Sequence, residues 1–172
     1  MRKKILWITE TAVMLALLIV LQWATKPLGQ IVTGSCVNAV LAASVLLGGL
    51  WCGVTVALAS PFCAFLLGIG PQLIAIIPAI ALGNGVLVLA LHFLYGKKIW
   101  RWGLAWLCAA VGKSAALYLL VVQLLCRVLP LKQPQIDTFT AMFSLPQLVT
   151  ALIGGGLALL IMPALKKALK KH

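Results

Sequence analysis

Long apolar runs broken by short charged or glycine- and proline-rich stretches set the pattern of this chain. The first run covers about 5–25 and stops at Lys26-Pro27-Leu28-Gly29-Gln30, where proline and glycine interrupt a helix. The stretch from about 35 to 70 carries no charge. It is too long for one crossing, since about 20 helical residues span the hydrocarbon. Gly48, Gly49 and Gly53, around Leu50-Trp51-Cys52, predict a turn that divides it into spans at 35–51 and 54–70. Gly68, Gly70 and Pro71 close the second of these. A fourth span is expected at 73–95, kinked at Pro78, and a fifth at 102–127. Between them lies the charged loop Gly96-Lys97-Lys98-Ile99-Trp100-Arg101. A polar loop with Arg127, Pro130, Lys132, Pro134 and Asp137 leads to the last span at 141–165.

Composition turns this pattern into a fold class. The 172 residues are 63% hydrophobic and 9% charged, whereas a soluble domain carries about 25% charged residues. So few charges cannot cover a water-facing surface. The expectation is a single all-α integral membrane domain over 1–172, a six-transmembrane-helix bundle. No internal repeat or low-complexity segment divides it.

The net charge is +12, from 14 Lys+Arg against 2 Asp+Glu. In a soluble protein this would suggest nucleic acid. Here the cations cluster between apolar runs, which points to orientation in a membrane and to anionic headgroups. With six spans starting inside, Arg2, Lys3, Lys4, Lys97, Lys98, Arg101, Lys166, Lys167, Lys170 and Lys171 fall on one side. Lys26, Arg127 and Lys132 fall on the other, and Lys113 stays within the membrane. That asymmetry predicts cytoplasmic N- and C-termini. The segment after Met1-Arg2-Lys3-Lys4 resembles a signal peptide, but it contains Glu10 and lacks a small-x-small cleavage site, so it reads as a retained span.

Little in the chain suggests catalysis. Cys36, Cys52, Cys63, Cys108 and Cys126 include no C-x-x-C pair and no neighbouring histidine in metal-ligand spacing. They read as packing residues, with no metal or cofactor implied. Gly112-Lys113-Ser114 imitates the end of a phosphate loop, yet Leu107 stands where that motif needs glycine. Paired carboxylates and Ser-His couples are missing, so the chain does not read as an enzyme.

The polar residues within the spans carry more information. Gln22, Asn38, Gln72, Asn84, Lys113, Tyr118, Gln123 and Gln147 fall near the middle or in the outer half of their spans. Only Glu10 and His92 lie toward the inner side. Glu10 is expected to sit at a helix N-terminus, and His92 at the interface. Each amide alone could bridge two helices. Their shared depth predicts instead a polar cavity open to the outside, lined by Asn38, Gln72, Asn84, Lys113, Tyr118, Gln123 and Gln147. Lys113 is the sharpest case. A mid-membrane lysine costs about 2.5–3.5 kcal/mol on insertion scales, and no acid lies at its depth. Snorkelling is the alternative, and it is hard from mid-span. Small residues at Ala12 and Ala16, in A-x-x-x-A spacing, permit close helix approach.

With its size, its spans, Ala12 and Ala16, and the stretches Gly34-Ser35-Cys36-Val37-Asn38-Ala39-Val40 and Leu82-Gly83-Asn84-Gly85, the chain resembles the substrate-binding S components of energy-coupling factor (ECF) vitamin transporters. The resemblance implies a subunit of the prokaryotic plasma membrane that captures a vitamin or related micronutrient from outside. It implies partners: a transmembrane coupling subunit that carries two ABC ATPases, whose ATP use topples the S component and releases the ligand inside. Ala12 and Ala16 would dock on the coupling subunit. Ligand contacts would come from spans four to six, where Asn84, Lys113 and Gln147 lie. No vitamin-specific motif matches. The near-absence of acids favours a neutral or anionic ligand, such as a pantothenate- or pterin-like acid. Two other readings stay open at this point: a self-sufficient small permease, and a non-transport membrane scaffold or assembly factor.

Overall fold

The computed structural model describes residues 2–96 and 99–169. Among these, helices make up nearly the whole fold and no strand occurs. Helix α1 is Arg2–Thr25, followed by a single 3-10 turn at Lys26–Leu28. Helix α2 is Gln30–Leu66, and α3 is Ile77–Leu94, entered through a 3-10 turn at Ile74–Ile76. Helix α4 starts as Ile99–Leu117, widens to a π-helix over Tyr118–Leu125, and ends with Cys126–Val128. Helices α5, Gln133–Phe143, and α6, Leu145–Leu169, complete the chain. Among the described residues, five segments are long and apolar enough to cross a membrane: Ile5–Leu28, Gln30–Leu66, Ile74–Leu94, Trp100–Val128 and Gln133–Lys167.

The expected spans 35–51 and 54–70 therefore fall within one helical element rather than two separate helices. That element is nevertheless not straight. Gly49 has φ 81° and ψ −178°, a backbone conformation essentially restricted to glycine. The consequence is a reversal of direction. A Cβ placed on Gly53 would stand 3.1 Å from the Cα of Val45, whereas residues eight apart in a straight helix are about 12 Å apart. Gln30 and Ala64, which a straight helix would separate by about 50 Å, line the same cavity. Thus α2 is a hairpin of two antiparallel arms with its apex at Gly49.

The hairpin fixes two ends of the bundle. At the apex end lie Glu10 beside Gly48, the end of α3, the start of α4 and the end of α6, where Lys166 donates to the Tyr95 hydroxyl at 3.0 Å. At the opposite end lie the end of α1, both tips of the hairpin, the start of α3 and the α5–α6 junction. One apolar core, including Leu18, Leu41, Val56, Leu87 and Ala109, joins α1 to the hairpin, α3 and α4. A second, including Ile76, Leu117, Val121, Phe139 and Phe143, packs α5 against the π-helical part of α4.

Several expectations are corrected. Pro78 does not kink a span. The helix begins at Ile77, so the proline occupies its first turn, where a missing N–H costs no helical hydrogen bond. Helix α5 lies in what the sequence suggested was a polar loop. Pro134 and Asp137 within it, with Pro130 and Lys132 before it, obscured an apolar face carrying Phe139 and Phe143. Glu10 lies two turns into α1, not at its N-terminus. The basic residues Lys97, Lys98, Lys170 and Lys171 lie outside the described residues.

Candidate ligand-binding site

A cavity of about 280 Å³ opens at the end of the bundle away from the hairpin apex, near the lower limit of small-molecule pockets. Every long helix contributes. Gln22 comes from α1, Thr33 and Asn38 from the first arm of α2, and Ser60 and Pro61 from the second. Ile80 and Asn84 come from α3, Lys113 and Leu117 from α4, Phe143 from α5 and Gln147 from α6.

Lys113 is the centre of the site. It is 3% exposed, so it does not snorkel to either surface. Its Nζ donates to Asn38 Oδ1 at 2.6 Å and to Asn84 Oδ1 at 2.7 Å, lengths typical of charge-assisted bonds. Asn38 Nδ2 in turn donates to Thr150 Oγ1 at 3.4 Å. One lysine thus ties α4 to α2 and α3, and through Asn38 to α6. An ammonium has three protons to donate. Two are used, and the third is left for whatever enters the cavity.

Glycine makes this convergence possible. A Cβ on Gly154 would stand 2.6 Å from Asn38 Cβ and 2.8 Å from the Ser35 carbonyl oxygen. Only a residue without a side chain lets α6 lie against α2 at the level of Asn38. Helix α4 is pitched the same way against α3, with Leu117 filling the space over Gly83.

Neither acidic side chain of the chain reaches the cavity. Glu10 lies by Gly48 at the apex end, and Asp137 accepts from Gln133 on the exposed side of α5. At the mouth, Lys26 donates to the Gly68 carbonyl at 2.8 Å and so holds the loop that follows the hairpin. The carbonyl of Met142 accepts from both Gln30 Nε2, at 2.7 Å, and Gln147 Nε2, at 3.2 Å. These two bonds fix the α5–α6 junction as a wall of the cavity. The described residues contain no group of histidine, cysteine or acid able to hold a metal.

Of the residues expected to line a cavity, the structure brings together Asn38, Asn84, Lys113 and Gln147. Gln72, Tyr118 and Gln123 do not join them. Gln72 is exposed and donates to the Gly70 carbonyl at 3.3 Å. Tyr118 points outward and accepts from Gln123 at 2.9 Å. Their depth was compatible with the site, but their direction around the helix is not. Tyr118 stands about 140° around the helix axis from Lys113 at 100° per residue.

Gln30, Thr33 and Ser60 also line the cavity, though polarity and depth did not single them out; Ser60 is 1% exposed and has no hydrogen-bond partner for its hydroxyl. Hairpin register is the signal that finds Ser60. Val45 and Gly53 pair across the arms at equal distances from Gly49. Asn38 and Ser60 are likewise equidistant from Gly49, two helical turns further from the apex on the same faces. They therefore face the cavity at one level. The chain matches no protein-family model, no curated protein and no solved structure.

Proposed function

We propose that the protein is the substrate-capture subunit of an ECF-type importer in a prokaryotic cell membrane. In this reading α1, the two arms of α2, α3, α4 and α6 make six crossings, with both termini in the cytoplasm. Arg101, Lys166 and Lys167 then fall on the cytoplasmic side and Lys26, Arg127 and Lys132 on the outer side. The cavity faces outward. The subunit performs no chemistry on its ligand; it binds a micronutrient and presents it to a transmembrane coupling subunit with two ABC ATPases.

The observation that carries this reading is a cavity at the end of the bundle away from the apex, mostly apolar along its walls, with a buried lysine held by two asparagines at its floor. A channel would need polar lining through the whole depth. Below Lys113 the interior is instead the apolar core of Leu18, Leu41, Val56, Leu87 and Leu91. Such a protein holds a ligand from one side and needs an outside source of movement to release it on the other.

Helix α1 supports the partner. Only 11% of its apolar window is buried, against 33–50% for the other four segments. Ala12 and Ala16 stand on its open side, where small side chains let another helix approach closely. Co-expression with a coupling subunit and its ATPases tests the proposal. The expected result is co-purification of the wild type and of Lys113→Gln, and loss of the complex in Ala12→Leu with ligand binding retained. Uptake by cells expressing this chain without any coupling subunit would overturn it.

A further inference from the structure

Resting on the capture reading above, we infer that the ligand is a small organic anion whose carboxylate binds at the floor of the cavity, between the Lys113 ammonium and the Ser60 hydroxyl. Four observations lead there. The first is charge. Lys113 is buried, two neutral amide oxygens hold it, and neither acidic side chain of the protein is near it. A buried charge of this kind is stabilised by a counter-ion, and neither acidic side chain of this chain supplies it. A cationic ligand would add repulsion to an uncompensated charge.

The second is the count of free donors. Lys113 has one N–H left, and Ser60 has a hydroxyl that donates to nothing although it is buried. Serines within helices commonly bond a carbonyl one turn back; Ser35 does so to Ile31 at 2.7 Å, and Ser60 does not. The hairpin register sets Ser60 at the level of Asn38, which is bonded to Lys113. Two donors at one level match the two oxygens of a carboxylate. A phosphate, with three terminal oxygens and up to two charges, asks for more donors than this floor presents.

The third is the wall above the floor. Ile69, Ile77, Ile80, Leu117 and Phe143 make it apolar, so an inorganic anion would leave that surface unfilled. The fourth is at the mouth. The amide oxygen of Gln22, near the end of α1, is buried and has no partner. It would accept from an N–H or O–H at the far end of the ligand. The ligand class is therefore a carboxylate, an apolar middle and a hydrogen-bond donor at the opposite end.

Isothermal titration of the full chain in lipid nanodiscs tests this with matched probes at constant ionic strength: pantothenate against panthenol, biotin against biotinamide, and nicotinate against nicotinamide. Thiamine and inorganic phosphate are the cationic and inorganic arms. At least one acid is expected to bind while its neutral analogue binds about 100-fold more weakly, the order expected for a hydrogen bond to a charged group. Lys113→Gln is expected to erase the difference between acid and analogue. Ser60→Ala, which breaks no bond within the protein, is expected to weaken the acid about tenfold and leave the neutral analogue unchanged. Binding of thiamine or phosphate in preference to the acids, equal binding of an acid and its analogue, or no binding by any acid would each overturn the assignment. Binding of an acid with no capture of a coupling subunit would leave this site standing and remove the transport reading instead.

Discussion

Lys113 and Lys166 stand at different levels of the same bundle, and the fold treats them in opposite ways. Lys166 lies at the apex end, part-buried. Its ammonium donates to the Tyr95 hydroxyl and sits 5.2 Å from the Tyr95 ring centroid and 5.3 Å from that of Trp102. Those rings pack on one another at 4.6 Å, so the cation rests on a ready-made aromatic surface. Lys113 has no aromatic face and no water-exposed route. It holds the amide oxygens of two other helices and keeps one donor in reserve. The first arrangement anchors a helix end at an interface. In the proposed capture role, the second makes packing and binding depend on the same bonds. Changes near Lys113 should therefore cost stability and affinity together, and changes at the apex end stability alone.

Three substitutions sharpen that contrast. The largest effect is expected from Gly154→Leu, because even one Cβ there meets Asn38 and the Ser35 carbonyl. Overpacking of this kind costs about 1–3 kcal/mol or more, and the displaced Asn38 should release Lys113. Thermal unfolding in detergent should show a lower midpoint, and titration a loss of ligand affinity in the folded fraction. Gly49→Ala comes next. It forces a side chain into a glycine-only backbone region, at about 1–3 kcal/mol. A lower midpoint with ligand affinity unchanged is the expected result. Lys166→Met should cost the least, about 0.5–1 kcal/mol, again with affinity unchanged. If Gly49→Ala or Lys166→Met weakened binding as much as Gly154→Leu, the two ends would not be separable.

The ease of reading this chain followed the rarity of its signals. A lysine in the middle of an apolar run and asparagines in two others stand out because such groups are costly in a membrane, and Asn38, Asn84 and Lys113 do meet. The glycine-rich turn was visible too, because Gly48, Gly49 and Gly53 interrupt an uncharged stretch. Depth, however, is only one of two coordinates on a helix. Tyr118 and Gln123 had a compatible depth and the wrong direction, and the π-helix over Tyr118–Leu125 shifts the phase further. Ser60 failed to stand out for the opposite reason. Serine is common in helices, and its place opposite Asn38 appears only once the register about Gly49 is known. Helix α5 was hidden because a lysine, two prolines and an aspartate around it lowered the local hydropathy, while its apolar face is narrow and packs against α4.

The reversal at Gly49 ties the lengths of two segments to each other. Adding or removing one residue between Gly49 and Asn38, or between Gly49 and Ser60, would turn everything beyond it by about 100° and advance it by about 1.5 Å. Either the amide that steadies Lys113 or the Ser60 hydroxyl would then turn away from the cavity. A whole added turn would restore the facing but move the group about 5.4 Å along the arm, away from the level of Lys113. The distance from that single glycine to each polar group is thus as much a part of the proposed binding site as the groups themselves.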